Sequence, residues 1–296
     1  MPIYDQHYHP WGGVPTPHWR RWAVITRYHL RELFTGKGRN ALIVLLAIAG
    51  VIHLFFLAVI YIWANQPILD AYHIPYQKLP PIDQKLFLYP IMAQAFTCAF
   101  LTLIVGSGLI ADDRRDNAIP LYLSKPLTPV EYLLGKFGVV AFFTLAVTAV
   151  PVNLLYVFQV LIGGGWTFLK TYWWLPLSIT SLSMAITLVC GSVILMASSL
   201  VKKGAFAGVM VVGLFVGHNI IAGVLGEMVG GRRLMAMSIQ FDLHRLGIWL
   251  YRVASDDPEV RNYDFSGPTA ALVIFLVVGV CWAILLWRVR PVEVVK

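Results

Sequence analysis

Charged residues are scarce in this chain. Only 13% of its 296 residues are Asp, Glu, Lys or Arg, about half of the roughly 25% that soluble domains carry. Hydrophobic residues make up 58%, and the mean hydropathy is +0.71. This composition excludes an ordinary soluble domain and predicts an all-α protein that crosses a membrane several times.

Six segments lack charge altogether and are long enough for a membrane helix, which needs about 20 apolar residues. They are residues 41–63, 87–110, 137–162, 173–200, 204–225 and 268–287. The net charge of +8 therefore lies in the loops and ends. With both termini in the cytoplasm, fifteen Lys and Arg lie inside and eight outside, which favours this orientation.

Residues that ion coupling and catalysis require are missing from the six spans. Proton- and sodium-coupled carriers place ionisable groups near the middle of the membrane, and the six spans hold no Asp, Glu, Lys or Arg. Membrane enzymes need acids, bases or metal ligands within reach of one another. The three cysteines lie in predicted spans without metal spacing and are interpreted as small core residues (Cys98, Cys190, Cys281). A secondary carrier and a membrane enzyme are therefore disfavoured.

A phosphate-binding loop is also missing. No G-x-x-x-x-G-K-[S/T] pattern occurs, and Gly36, Lys37 and Gly38 lack both the upstream glycine and the following hydroxyl. The chain is therefore not expected to hydrolyse ATP or to bind a cofactor or metal itself.

The N-terminal region divides into a tail and an amphipathic helix. Residues 1–17 hold four prolines and the histidines His7 and His9, and we interpret them as a flexible tail. In residues 18–36, one helix face is apolar and the other is rich in arginine, as in helices that lie in the membrane interface. The apolar face holds Trp19, Trp22, Ala23, Thr26, Leu30, Leu33 and Phe34. The single transmembrane domain spans 41–287, with an external loop at 226–267 and a cytoplasmic tail at 288–296.

One cytoplasmic loop, residues 111–136, is dense in charge and reads ADDRRDNAIPLYLSKPLTPVEYLLGK. A polar helix is expected to leave the second span and to be interrupted at Pro120. An apolar patch follows (Leu121, Tyr122, Leu123). The third span is predicted to begin with a capping box, in which Thr128 is the N-cap, Pro129 the first helical residue and Glu131 the third. A turn-locked loop with an apolar patch and flanking charges suits docking to another protein.

This loop resembles the corresponding region of type-2 ABC transporter permeases, which are mostly exporters. Members of that family show an acidic residue after the second span, a leucine-rich run, a Ser-x-Pro-Leu/Val-Ser/Thr-x-x-Glu stretch and a Gly-Lys pair entering the third span. Here the matching residues are Ser124, Pro126, Leu127, Thr128, Glu131, Gly135 and Lys136. Asp113 or Asp116 stands where the family more often has Glu.

The resemblance implies a function. The chain would be the permease subunit of an ATP-driven exporter in a prokaryotic plasma membrane, and residues 18–36 would be the family's elbow helix. Residues 111–124 would form the coupling helix that docks to a separate cytoplasmic ATPase, present in two copies and using ATP and Mg. The coupling residues would be Asp112, Asp113, Arg114, Arg115, Asp116, Leu121, Tyr122 and Leu123, held by the loop residues Pro126, Thr128, Pro129 and Glu131. A second copy or a related permease and membrane lipids would complete the assembly, without nucleic acid.

Several polar side chains fall at membrane depth. They include His53, Gln94, Asn153, His218 and Asn219. One interpretation makes them the lining of a translocation path or a subunit interface. The other gives them hydrogen bonds between helices, which are common at helix contacts, and we favour it.

A passive membrane scaffold is the alternative function. It accounts for the hydrophobic spans and the docking loop, but it assigns no purpose to the polar groups at membrane depth.

Overall fold

The computed structural model describes residues 20–36, 38–75, 82–124, 127–228, 238–261 and 263–289. In these residues every regular element is helical. The α-helices are α1 (Arg21–Thr35), α2 (Arg39–Ala64), α3 (Gln66–Ala71), α4 (Lys85–Gly106), α5 (Ala111–Arg115), α6 (Ile119–Leu123), α7 (Pro129–Val147), α8 (Ala149–Gln159), α9 (Gly165–Thr171), α10 (Leu175–Leu200), α11 (Gly204–Met228), α12 (Ile239–Leu250), α13 (Pro258–Arg261) and α14 (Gly267–Arg288). The tail 1–17, residue 37, Pro126 and residues 290–296 lie outside the described residues.

Six helical stretches are long and apolar enough to cross a membrane, which confirms the six predicted spans. They are Arg39–Ala64, Lys85–Arg115, Pro129–Thr171, Leu175–Leu200, Gly204–Leu225 and Gly267–Arg288. This result indicates a multi-pass membrane protein. The chain runs up and down through the bundle, so that α5 and α6 lie at one end, here called the loop end. The segments α3 and α13 lie at the opposite end, here called the far end.

The third span is longer than predicted and has three breaks. Its backbone leaves the regular α-helix at Thr148, just before Pro151, whose missing amide removes one helical hydrogen bond. A π-helical segment, Val160–Gly164, then joins α8 to α9. Gly165 has a φ of +51°, which glycine adopts without strain. The span therefore continues as helix to Thr171, beyond the predicted end at residue 162.

Helix α10 is the centre of the bundle. It packs against α4, α7, α11, α12 and α14, and it is the most buried of the six spans. Its hydrogen bonds to neighbouring spans include that from Trp282 Nε1 to Ser192 Oγ at 3.0 Å and that between the Thr144 and Thr187 hydroxyls, which lie 2.9 Å apart. The outer helices α2 and α11 are the least buried spans.

Helix α12 lies beside the spans rather than in a separate domain. It packs against α14 and α10, with smaller contacts to α4 and α11. Its first residue, Ile239, contacts His218, which is ten positions before the end of α11. At 1.5 Å per residue, α12 begins about 15 Å below that end of α11. The last residue of α12, Leu250, accepts a hydrogen bond from Ser178 in the first turn of α10, so α12 begins at depth beside the spans and runs back toward the far end.

Candidate functional site

The loop 111–136 forms two short helices joined by a turn. Helix α5 ends at Arg115, and Asn117 has a φ of +52°, which reverses the chain before α6. The sequence predicted that Pro120 would interrupt a helix, but it does not. It stands in the first turn of α6, where the amide that proline lacks would have had no helical partner.

The predicted capping box is confirmed at the start of α7. The Glu131 amide donates to Thr128 Oγ1 at 3.2 Å, and the Thr128 amide donates to Glu131 Oε2 at 2.8 Å. Pro129 occupies the first turn as expected. These reciprocal bonds fix the angle at which the loop enters the third span.

Lys136 is buried beneath the loop and paired. Its ammonium lies 2.6 Å from Asp113 Oδ2, and its side chain is 0% exposed. The same Asp113 oxygen accepts the Tyr132 hydroxyl at 2.7 Å. The Lys136 ammonium also lies 5.7 Å from the ring centre of Tyr122, within the range of a cation–π contact.

His29 of α1 completes this group. Lys136 donates to His29 Nε2 at 2.8 Å, which leaves His29 Nδ1 to donate to Glu32 Oε2 at 3.1 Å. Burial and the adjacent Lys136 charge lower the pKa of His29, so the ring accepts as a neutral imidazole. We call His29, Asp113, Tyr132 and Lys136 the lysine cluster. It joins α1, the exit of the second span and the entrance to the third.

Gly135 allows α1 to approach α7 closely enough for this contact. A Cβ at Gly135 would lie 2.8 Å from Ile25 Cβ and 2.9 Å from the Trp22 carbonyl oxygen. Thr26 Oγ1 donates to the Gly135 carbonyl at 2.8 Å. The Gly-Lys pair thus has two structural roles. Gly135 lets α1 approach α7 closely, and Lys136 forms a hydrogen bond to His29 of α1.

Helix α1 covers most of the predicted segment 18–36, but its buried stripe differs from the predicted apolar face. Ile25 and His29 are its buried residues, and neither was assigned to that face. Trp22 and Phe34, which were assigned to it, are exposed. The difference arises because α1 packs on α7 along one line, and the described residues leave an apolar flank of α1 exposed.

The outward surface of the loop is smaller than the predicted docking set. Leu121 is 69% exposed, whereas Tyr122 and Leu123 are half-buried, with the Tyr122 ring 5.4 Å from that of Tyr132. Arg115 is exposed and donates to Asp112 Oδ1 and Asp116 Oδ1, each at 2.9 Å. We call Asp112, Arg115, Asp116 and Leu121 the loop surface. Asp113 faces inward to Lys136 instead.

The loop is also fixed to the central helix. Ser198 Oγ accepts the amides of Ile110 at 3.1 Å and Ala111 at 2.9 Å, and donates to the Ser107 carbonyl at 2.7 Å. The Arg114 guanidinium donates to the Ser199 carbonyl. Arg114 therefore anchors α5 to α10 and is not part of the outward surface.

Each predicted membrane-depth polar residue forms hydrogen bonds to a neighbouring helix or to its own. Gln94 Nε2 lies 2.8 Å from the Ala49 carbonyl oxygen and 3.1 Å from His53 Nδ1, which joins α4 to α2. Asn153 Nδ2 donates to the Ala149 carbonyl at 2.7 Å and approaches Thr180 Oγ1 at 3.4 Å. The Gln94 contacts and the approach of Asn153 to Thr180 are between helices, whereas the bond from Asn153 to Ala149 is within α8.

His218 and Asn219 hold the start of α12. His218 Nε2 accepts the Ile239 amide at 2.9 Å. Asn219 Nδ2 donates to Gln240 Oε1 at 3.0 Å, and its Oδ1 accepts the Ser238 hydroxyl. These bonds satisfy groups at a helix N-terminus, which otherwise lack partners.

The sequence interpretation missed two features of the site. His29 was not selected because it lies 107 residues from Lys136, and only the folded chain brings them together. Asp242 was also missed: it is fully buried on α12, and both carboxylate oxygens lack a hydrogen-bond partner. The signal that could have found Asp242 is that it is the single acidic residue among the apolar residues of the segment 234–251. Within the described residues no group of three His, Cys, Asp or Glu side chains is placed to hold a metal ion.

Comparison with protein-family models and with curated proteins gives no match to this chain.

Proposed function

We propose that this protein is the permease subunit of an ATP-driven ABC exporter and that the loop surface docks to a separate cytoplasmic ATPase. The carrying observation is the contact between Asp113 and Lys136. These two residues belong to separate parts of the sequence that resembles type-2 permeases, and they meet in a buried ion pair at 2.6 Å. The adjacent Gly135 receives α1, which we propose to be the elbow helix.

The loop end is suited to transmit force from a partner. Hydrogen bonds hold the loop to three helices: to α1 through His29, to α7 through the capping box, and to α10 through Ser198. A load applied at Leu121 would therefore reach three helices. We propose that this end and both termini face the cytoplasm of a prokaryote, in agreement with the distribution of Lys and Arg.

The motor is proposed to be another polypeptide, since the chain has no phosphate-binding loop. ATP and Mg would then be bound by two ATPase subunits. A second permease copy or a related chain would pack on the least buried spans, α2 and α11.

The test is purification of the tagged chain from its native membrane in mild detergent, with vanadate-sensitive ATP hydrolysis assayed on the same sample. An ATPase subunit at one per permease is expected to co-purify. Leu121→Asp is expected to lose it, because an exposed leucine at a docking surface would be replaced by a charge.

Ile74→Asp is the matched control, since Ile74 is an exposed aliphatic residue at the far end. It is expected to retain the ATPase. Equal retention by both variants would show that Leu121 is not in the contact. Failure to recover any ATPase with the unaltered chain in several detergents would support the scaffold function instead.

A further inference from the structure

A second candidate site lies away from the loop, inside the bundle. A cavity of about 440 Å³ is enclosed by α4, α10, α11 and α12. Small-molecule sites typically occupy about 300–1,000 Å³. All the residues that line this cavity belong to one chain.

The walls of the cavity are apolar. Met92 and Ala99 of α4, Ile186 of α10 and Phe215 of α11 line it. Three further lining residues, Phe96, Val216 and Ile220, are exposed on the outer faces of the second and fifth spans. The cavity therefore opens sideways between those two spans, where the surface is hydrocarbon-like, and an apolar chain can enter it without crossing water.

One end of the cavity is polar, and Asn219 and Gln240 are among the residues that line it. His244 and Tyr263 line it, with His244 Nδ1 2.7 Å from the Tyr263 hydroxyl. Glu259 Oε2 lies 3.9 Å from His244 Nε2, and this oxygen is buried without a hydrogen-bond partner. Burial lowers the pKa of His244, so no positive charge forms there at neutral pH.

Charge at this end selects against an anion. The described lining residues include no lysine or arginine. Two cations lie near this end: Lys85 is paired with Asp257, and Arg245 Nε donates to the Phe265 carbonyl at 2.8 Å. Glu259 lies beyond His244, so an anionic head group would bring a second negative charge toward that carboxylate, whereas a head group that donates hydrogen bonds would meet acceptors such as the Tyr263 hydroxyl oxygen.

We propose that this cavity binds a single-chain amphiphile whose head group donates hydrogen bonds and carries no negative charge. The chain lies between α4, α10 and α11, and the head lies beside His244 and Tyr263. This inference stands independently of the proposed export function, since it concerns binding alone.

The test uses three probes that share one diazirine-bearing alkyl chain and differ in the head: an amine, an alcohol and a phosphate. The purified full-length protein in lipid nanodiscs is photolabelled, and the labelled residues are mapped by mass spectrometry. The amine and alcohol are expected to label the cavity residues of α4 and α11 saturably. The phosphate is expected to label them roughly tenfold less, because buried acceptors would then face an anion.

Two variants of α4 make a matched pair. Ala99→Phe fills the cavity and is expected to abolish saturable labelling, whereas Ala93→Phe, at an exposed position of the same helix, is expected to keep it. Equal labelling of both variants would overturn the proposal, as would preferential labelling by the phosphate. If Ala99→Phe does not fold, the distribution of labelled residues in the unaltered protein tests the proposal. Labels spread over all exposed helix faces would indicate contact with bulk lipid only and would reject the site.

Discussion

Lys136 and Asp113 form a buried ion pair across the beginning of the loop, with 2.6 Å between the ammonium nitrogen and Oδ2. Asp113 lies within α5 and Lys136 within α7, so the pair joins two helices that the whole of α6 separates along the chain. Tyr132 and His29 complete its hydrogen bonding, so neither charge is left unsatisfied. Such a pair fixes geometry more than it adds stability, because desolvation of both charges offsets much of their attraction.

Removal of either partner is expected to be costly. Lys136→Met leaves Asp113 as an uncompensated carboxylate, and Asp113→Asn leaves a buried ammonium, each at a cost of about 3–5 kcal/mol. The double variant is expected to recover part of this loss, because neither charge then remains. Thermal unfolding of the detergent-solubilised protein, followed by tryptophan fluorescence, measures all three. Additive losses in the double variant would contradict a direct pair.

Because Asp113 is turned inward and Leu121 outward, substitutions at the two positions are expected to separate effects on folding from effects on docking. Asp113 substitutions are expected to lower the melting temperature, whereas Leu121→Asp is expected to leave it unchanged, since Leu121 is exposed. Arg115→Ala is likewise expected to leave the melting temperature unchanged. The bonds of Arg115 to Asp112 and Asp116 are at the surface and contribute little to stability. A drop of several degrees with Leu121→Asp would place that side chain in the fold rather than in a docking surface.

Gly135 sets the distance between α1 and α7. Gly135→Leu is expected to displace α1, because even a Cβ there would lie 2.8 Å from Ile25 Cβ. The displacement breaks the His29–Lys136 contact and exposes α1 to protease. Limited proteolysis within residues 20–36 measures it. Gly279→Leu, at a helical glycine of α14 with open space around it, is the control and is expected to resist cleavage like the unaltered chain.

The sequence predicts the local features of this protein well. The six spans follow from apolar run length, which the bilayer sets directly. The capping box follows from Thr128 and Glu131, three positions apart. Both signals lie within one short stretch of chain, so no knowledge of the fold is needed to find them.

Features that join distant segments were not predictable in the same way. The Asp113–Lys136 pair needs the turn at Asn117, and the His29 contact needs α1 to lie on α7. Tyr122 was assigned to an outward patch because its neighbours are apolar, yet it packs on Tyr132. Only the tertiary contact reveals which side of the five-residue α6 faces inward.

Asp242 predicts a pH dependence of stability. Burial without a hydrogen-bond partner raises its pKa to about 7, against about 3.9 for an unperturbed aspartate. Between these values the folded state holds a proton that the unfolded state has lost, so stability falls as the pH rises through that window and levels off above it.

Asp242→Asn is expected to remove this slope and to raise the melting temperature at and above neutral pH, because the amide has no charge to bury. The measurement is the melting temperature across that pH window. Asp70→Asn, an exposed aspartate at the far end, is the control and is expected to follow the unaltered protein. His244 lies on the same helix, and burial lowers its pKa, so the prediction concerns the difference between the variant and the unaltered protein. Identical pH profiles for the two would mean that Asp242 is solvated.

The proposed second permease copy predicts a contact along α11. Gly213 and Gly217 lie four positions apart on one face, and a Cβ at either would meet nothing within 4 Å in this chain. Small residues at this spacing let membrane helices approach closely. Since the native cysteines are buried, Gly213→Cys is expected to crosslink between chains in the membrane without background.

Adding Gly217→Leu is expected to reduce that crosslinking strongly, because a bulky side chain would hold the two backbones apart. Gly279→Leu in the same Gly213→Cys background is the matched control, since it adds the same bulk to a different span. A crosslink to another permease chain instead of a second copy would indicate a heterodimer. Crosslinking that is unaffected by Gly217→Leu would mean that the two chains meet on a different face of α11, and the unoccupied glycine face would then be left to lipid.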